Sequence, residues 1–352
     1  MKKNLTKNTD MRIVVFRTSA MGDVALSVPV LNALQNTYPD VEKILVTRKA
    51  YNVFFTLDRS LKIFNPDFNG RHKGFAGIFR LFRDINAFGK IDHVIDIHDV
   101  LRTKVLTFLF RITGVNVSVI NKGRKEKKDL VTGKRKVQLK HTVYRYADAF
   151  ADAGLRIVPE TGHSIKATNA AEETALKLLG SSSLKNIGIA PYSLHQLKTW
   201  PEKQMLELMR LILNDFKVKF WFFGGLDEMA RLQELADQIP GSVNLCGKLT
   251  LEEELAVISK MDLMIAMDSS NMHMAALCGT RVVSIWGGTD PLNGFGAWMQ
   301  PPEYSIRIPV EELTCRPCTV FGKGTCKRGD LACLNWLNAG IVYDRIRNLK
   351  IL

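Results

Sequence analysis

Residues 262–291 read DLMIAMDSSNMHMAALCGTRVVSIWGGTDP. An apolar run from Leu263 to Met267 stops at Asp268, and two serines and an asparagine follow. A helix-like stretch carrying His273 comes next, then a second apolar run, Arg281 to Trp286, closed by Gly-Gly-Thr-Asp-Pro. Strand, polar junction, helix, strand is the repeating unit of a parallel sheet, whose strands are buried on both faces and read as continuous apolar runs. A helix cap accounts for Asp268 alone. Ser269, Ser270 and Asn271 need another reason. The free N–H groups at a helix start supply one, because they form a site suited to an anion.

The same unit recurs outward from this stretch. In the second half, apolar runs at 186–191, 218–223 and 243–245 alternate with helical patterns at 201–214, 227–238 and 251–260. In the first half, runs at 12–17, 43–47, 93–97 and 116–120 alternate with helical patterns at 23–36, 101–112 and 142–153. The pattern predicts an α/β protein of two Rossmann-like domains in tandem, residues 1–165 and 166–335. Residues 336–352 are expected to form a helix returning to the first domain, and residues 1–10 are polar and expected to be disordered. In such sheets ligands bind beyond the carboxyl ends of the strands, so two facing domains would place every strand-to-helix junction on a shared cleft.

The chain has 352 residues, 49 Lys+Arg against 35 Asp+Glu, and a net charge of +14. That balance implies an anionic partner. The basic start MKKNLTKNTD has no apolar segment behind it, and no run approaches the ~18 apolar residues of a membrane span. The expectation is a cytoplasmic protein, with the inner face of the inner membrane as a possible resting place. No recognition motif for nucleic acid accompanies the charge. Neither a strand followed by G-x-G-x-x-G nor a Walker A motif is present, which argues against a dinucleotide dehydrogenase and a P-loop ATPase.

Three further junctions carry candidate chemistry. In FRTSAMGDVALSVP (16–29), Asp23 opens a helix; it is either a cap or a carboxylate available as a general base. In APYSLHQLKTWP (190–201), Lys198 precedes a helix start and suits a phosphate, or is a surface lysine beside a packed tryptophan. In FWFFGGLDEMARLQ (220–233), Gly224-Gly225 allows close approach of a ligand, and Asp227 or Glu228 either complements a helix dipole or holds ribose hydroxyls. His273 is a lone histidine on a helix, a residue more often structural than catalytic.

Taken in order, these junctions resemble the glycosyltransferase family 9 enzymes, the ADP-heptose:lipopolysaccharide heptosyltransferases. The resemblance rests on Arg17 to Asp23, on Lys198-Thr199-Trp200-Pro201, on Asp268 to Ala276 and on Gly288-Thr289-Asp290-Pro291. It implies a GT-B fold with the acceptor in the N-terminal half and the donor in the C-terminal half. It also implies an inverting transfer that needs no catalytic metal or cofactor. Carried over, Asp23 is the base, with Arg17, Ser19 and Gly22 on the acceptor side. Lys198 neutralises the donor diphosphate, and Glu228 holds the nucleoside. Asp268, Ser269, Ser270, Asn271, Met272 and His273 form the rest of the donor site. The sequence departs from the family pattern at Ser270, where glycine is usual, and this bears on which sugar fits. The implied partners are a nucleotide sugar and a phosphorylated lipid saccharide. Two other readings stay open: a GT-B enzyme using another nucleotide sugar for a surface polysaccharide, and a non-catalytic nucleotide-sugar- or lipid-binding protein.

Residues 122–140, KGRKEKKDLVTGKRKVQLK, hold nine Lys/Arg and two acids. The run reads either as a solvated loop or as a docking element for a phosphorylated lipid or an anionic inner-membrane surface. Arg71, His72, Lys73, Arg80 and Arg83 lie among Phe75, Phe79 and Phe82, a pattern that suits a membrane-surface helix or ordinary core packing. Cys315, Cys318, Cys326 and Cys333 have loosely metal-like spacing; structural zinc is one reading, and free or redox-active thiols are the preferred one.

Overall fold

The computed structural model describes residues 11–56 and 60–352; the expectation for residues 1–10 lies outside them. The chain divides into two compact units, one made of residues 1–122 and 142–165, the other of 123–141 and 166–352.

The first unit contains β1 (Arg12–Phe16), α1 (Met21–Ala25), α2 (Val28–Thr37), β2 (Glu42–Val46), β3 (Lys62–Phe64), α3 (Gly74–Asn86), β4 (His93–Asp96), α4 (Leu101–Ile112) and β5 (Asn116–Val119). After α5 (Arg124–Val131), which belongs to the second unit, α6 (Thr142–Asp152) completes it. Its sheet is parallel throughout, in the order β3-β2-β1-β4-β5. Alternate strand residues Val14, Phe16, Ile44, Val46 and Val94 pack against Ile78, Leu81 and Ile85 of α3 and Leu106, Leu109 and Phe110 of α4. Chain order reverses direction between β1 and β4, and a ligand crevice opens at such a point.

The second unit follows with α7 (Asn169–Leu179), β6 (Lys185–Ala190), α8 (Glu202–Asp215), β7 (Val218–Phe222), α9 (Met229–Asp237), β8 (Val243–Asn244), α10 (Leu251–Ser259), β9 (Leu263–Met267), α11 (Ser270–Leu277), β10 (Val282–Ile285), β11 (Ser305–Ile306), α12 (Ala332–Asn335) and α13 (Ala339–Asn348). Its parallel sheet has the order β11-β10-β9-β6-β7-β8, with the reversal between β9 and β6. The α/β architecture of two parallel sheets is therefore the expected one.

Three details differ from the sequence reading. The helix expected over 23–36 is two helices. Pro29 cannot donate to the carbonyl four residues back, so α1 ends, Ser27 Oγ donates to the Val24 carbonyl at 2.6 Å, and α2 starts afresh with Pro29 in its first turn. The C-terminal helix, expected to return to the first domain, belongs to the second unit. α13 packs on α8, and Val342, Tyr343 and Ile346 join the same core as Leu208, Met209 and Ile212. Its apolar face finds that partner within its own unit.

The basic run is not simply a solvated loop either. Part of it is α5, and the remainder is tied to the second unit. Leu139 N–H donates to the Leu292 carbonyl at 2.9 Å. Lys136 Nζ donates to the carbonyls of Val310 and Thr314 at 3.2 and 2.7 Å. Lys127 Nζ lies 5.6 Å from the Phe295 ring centre.

Candidate active site

In the first unit, Asp23 is the third residue of α1 and caps nothing: the N-cap position is Ala20, without a side-chain cap bond. Its carboxylate instead meets the Arg17 guanidinium at 2.5 Å. Arg17 is 4% exposed and the Asp23 side chain 46% exposed, so the cation is fixed and the carboxylate remains open to a ligand. A second Arg17 nitrogen donates to the Ile97 carbonyl at 2.8 Å, and the guanidinium lies 5.5 Å from the Tyr146 ring centre. Tyr146 Oη donates to the Asp23 backbone carbonyl at 3.2 Å, which fixes the turn that presents the carboxylate.

Because β4 is the neighbour of β1, the end of β4 brings His98 to this point. Its Nδ1 lies 3.2 Å from Thr18 Oγ1 and its Nε2 3.2 Å from Ser19 Oγ. Burial, with the charges of Arg17 and Lys122, pushes the His98 imidazole down to about 3, so it is neutral at physiological pH. Asp96 holds the turn by accepting the N–H groups of His98 and Asp99 at 2.8 and 2.9 Å. Gly22 is buried, and its carbonyl accepts the Leu26 N–H. Nearby, Arg48 follows β2 and Arg102 opens α4. Their guanidinium carbons lie 5.9 and 3.8 Å from the Phe68 ring centre. Burial and the Arg48 charge lower the Arg102 pKa.

In the second unit, β6 and β9 end side by side at the reversal of strand order, and the residues after them meet. Lys198 Nζ lies 2.9 Å from Asp268 Oδ2 and donates to the Asp268 carbonyl at 3.2 Å. Thr289 Oγ1 donates to the same Oδ2 at 2.8 Å, and Ser193 Oγ to the Asp268 carbonyl at 2.9 Å. Asp268 is thus no cap; Ser269 occupies the N-cap position of α11, without a side-chain cap bond. The leading N–H groups of α11 are left for a ligand. Ser270 is half-buried at the first helical position, whereas Asn271, Met272 and His273 are buried. Trp200 anchors the Lys198 loop, its indole N–H donating to the carbonyls of Leu334 and Leu337 at 3.2 and 2.8 Å.

Glu228 does serve as a local brace: one carboxylate oxygen accepts the Gly225 N–H at 2.8 Å, and burial pushes its pKa up. Leu226 and Met229 beside it are 74% and 47% exposed, an apolar flank at the end of β7. The Gly-Gly-Thr-Asp-Pro stretch is held by Arg316, which is fully buried and donates to the carbonyls of Gly287 and Thr289 at 2.7 and 3.0 Å. Its guanidinium also pairs with Asp290 at 3.2 Å. Among the described residues, no group of three or more His, Cys, Asp or Glu is arranged to hold a metal ion.

Residues 78–320 match the family model described as glycosyltransferase family 9 (heptosyltransferase). The chain belongs to glycosyltransferase family 9. This family 9 chain is a glycosyltransferase with the GT-B fold. It is 22% identical over 300 residues to the lipopolysaccharide core heptosyltransferase OpsX of Haemophilus influenzae, covering 80% of each chain. It is 23% identical over 350 residues to lipooligosaccharide heptosyltransferase 2 of Campylobacter jejuni, covering 96% of this chain and 98% of the relative. Among solved structures, the E. coli ADP-heptose lipopolysaccharide heptosyltransferase II is similar, with a TM-score of 0.68, 16% identity and coverage of 96% and 98%.

The family 9 residues singled out from sequence therefore fall in two groups, Arg17, Ser19, Gly22 and Asp23 in one unit and Lys198, Glu228 and Asp268 to His273 in the other. Sequence reasoning assigned no role to His98, Ser193, Arg48 or Arg102, and Thr289 entered only as part of the Gly288-Thr289-Asp290-Pro291 motif. The signal for His98 is its place in Asp96-Ile97-His98-Asp99, at the end of an apolar run.

Proposed function

We propose that this family 9 enzyme moves a heptose from ADP-heptose to a lipopolysaccharide core acceptor, with inversion and without a catalytic metal. The observation that carries the reading is the half-exposed Asp23 carboxylate, fixed by a buried arginine at the switch point of the first sheet. Asp23 removes the proton of an acceptor hydroxyl. The freed oxygen attacks the anomeric carbon on the face opposite the diphosphate, and the bonding electrons leave with ADP. Charge on that leaving group is met by the Lys198 ammonium and the leading N–H groups of α11, the role a divalent cation plays in other transferases. Neutral His98 positions Ser19 and Thr18 beside the acceptor. Arg48 and Arg102 take an anionic group of the acceptor, and the apolar flank of Leu226 and Met229 takes the base while Glu228 holds the ribose. The names of the relatives support heptose and a lipopolysaccharide acceptor. Such an acceptor is lipid-borne, which places the enzyme peripherally on the inner face of the inner membrane.

One observation favours a second reading. Ser270 puts a side chain at the first turn of α11, where the family usually has glycine, and a different nucleotide sugar would follow from that change. A panel of ADP-, UDP- and GDP-sugars separates the two. The main reading is tested with Asp23→Asn, for which turnover falls roughly 10²–10⁴-fold while ADP-heptose binding by calorimetry persists. Undiminished turnover removes Asp23 as the base.

A further inference from the structure

α3 and α4 bury their inner faces in one core against the same side of the first sheet, so their outer faces turn the same way. Phe82 of α3 and Phe110 of α4 lock the pair, ring centres 4.8 Å apart. The outer faces carry large apolar side chains: Phe75 is 67%, Phe79 43%, Leu101 80%, Phe108 59% and Ile112 64% exposed. Single exposed apolar residues are ordinary, but five on two adjoining helices form a patch. Phe75 and Phe79 stack edge-on at 5.3 Å, one helical turn apart. On α4, Leu101, Lys104, Phe108 and Ile112 follow one stripe at a spacing of three and four residues.

Charge on these faces has one sign. The sequence of α4 contains no acid, and the single acid of α3, Asp84, is taken by Arg71 at 2.7 Å and His72 at 2.9 Å. Arg83 and Arg111 are exposed and have no acidic partner among the described residues. A second copy of this chain would bring like charges together across a symmetric contact. An anionic lipid surface satisfies both features, since aromatic and aliphatic side chains enter the headgroup boundary while arginines meet phosphates.

We infer that the outer face of α3 and α4 docks the enzyme on an anionic bilayer. This deepens the membrane-surface partner of the proposed function and rests on that reading. It places docking on this face rather than on the 122–140 run, whose Lys127 and Lys136 are engaged with the second unit. The face also ends beside the candidate acceptor site, because Leu101 is adjacent to Arg102.

The test is co-sedimentation of the full chain with phosphatidylcholine vesicles with and without phosphatidylglycerol. Expected is binding that requires phosphatidylglycerol and falls about tenfold or more in Phe75→Ser/Phe79→Ser and in Arg83→Glu/Arg111→Glu, each with an unaltered melting temperature. Lys134→Glu/Arg135→Glu should bind as the parent does. Equal binding by both α3–α4 variants overturns the inference, as does equal binding to neutral vesicles. A concentration-dependent dimer that the phenylalanine variant abolishes overturns it in favour of a second copy. Transfer from ADP-heptose to a detergent-dispersed lipid acceptor reports on the functional reading separately. The phenylalanine variant should match the parent there, and a parent that binds vesicles but transfers nothing leaves the docking surface standing while removing the proposed reaction.

Discussion

The Lys198 ammonium lies 2.9 Å from one carboxylate oxygen of Asp268 and 3.2 Å from that residue's own carbonyl. Two residues 70 positions apart thereby close the point where strand order reverses in the second sheet. An ammonium has three hydrogens, so one remains to meet a ligand oxygen. The carboxylate sets the position of the cation, and the cation keeps its capacity for an anion.

Removing Lys198 leaves Asp268 buried, with Thr289 as its remaining side-chain donor. Lys198→Met should therefore lower stability by roughly 3 kcal/mol and also weaken donor binding. Lys198→Met/Asp268→Asn should recover most of the melting temperature and none of the transfer. Calorimetric melting with donor titration checks both. A double variant no more stable than the single one contradicts the pairing argument.

His98 bears on acid stability. Its folded pKa, about 3, lies below the ordinary value of 6.5, so the unfolded chain binds the proton first as pH falls. Stability contributed by this neutral imidazole is present above pH 6.5 and is lost as pH drops toward the folded value. His98→Gln should flatten the decline in melting temperature between about pH 6.5 and 4. It should leave the shape of the pH–rate profile above pH 5 unchanged. A profile whose acid limb moves with this substitution would mean His98 titrates during turnover.

Glu254 on α10 works in the opposite direction. Burial pushes its carboxyl up to about 7 from an ordinary 4.5, so the folded state holds the proton more tightly than the unfolded one. That contribution is complete below pH 4.5 and is lost as pH rises through about 7. Glu254→Gln should be more stable than the parent at pH 8, with the advantage vanishing near pH 4.5. Melting curves across that range decide it, and a variant less stable at pH 8 refutes it.

The cysteines should behave as independent thiols. Burial pushes Cys278 up to about 12 and Cys333 up to about 11, which makes both sluggish nucleophiles. At Cys326 burial is outweighed by the N–H groups of Leu331, Arg328 and Gly329, and the thiol is held below its ordinary range; Cys315 is exposed. Native protein should be alkylated first at Cys315 and Cys326, and at Cys278 and Cys333 only on unfolding. Peptide mapping reads the order. Stoichiometric zinc that protects Cys315, Cys318, Cys326 and Cys333 together would establish the metal reading instead.

Asp23, Lys198 and Asp268 were visible because each stands where an apolar run gives way to small polar residues, and strand ends face ligands in parallel sheets. His98 was not visible, because its importance depends on β4 lying next to β1, a pairing across 80 residues that no local pattern encodes. The 122–140 run reads as solvated on charge alone; the bonds that tie Lys136 and Leu139 down involve carbonyls more than 150 positions away. The C-terminal helix has an apolar face that fits either unit, and only packing decides which.

The chain passes from one unit to the other at 122/123, at 141/142 and again at 165/166. A fragment beginning at residue 166 would lack α5 and the stretch bonded to Leu292 and Val310, leaving those partners bare. Likewise, a chimera that exchanges the first unit between family members by a single crossover at 165 would import a foreign piece of the second unit. Exchanging the first unit requires two inserts that spare residues 123–141, so the two units are interleaved in heredity.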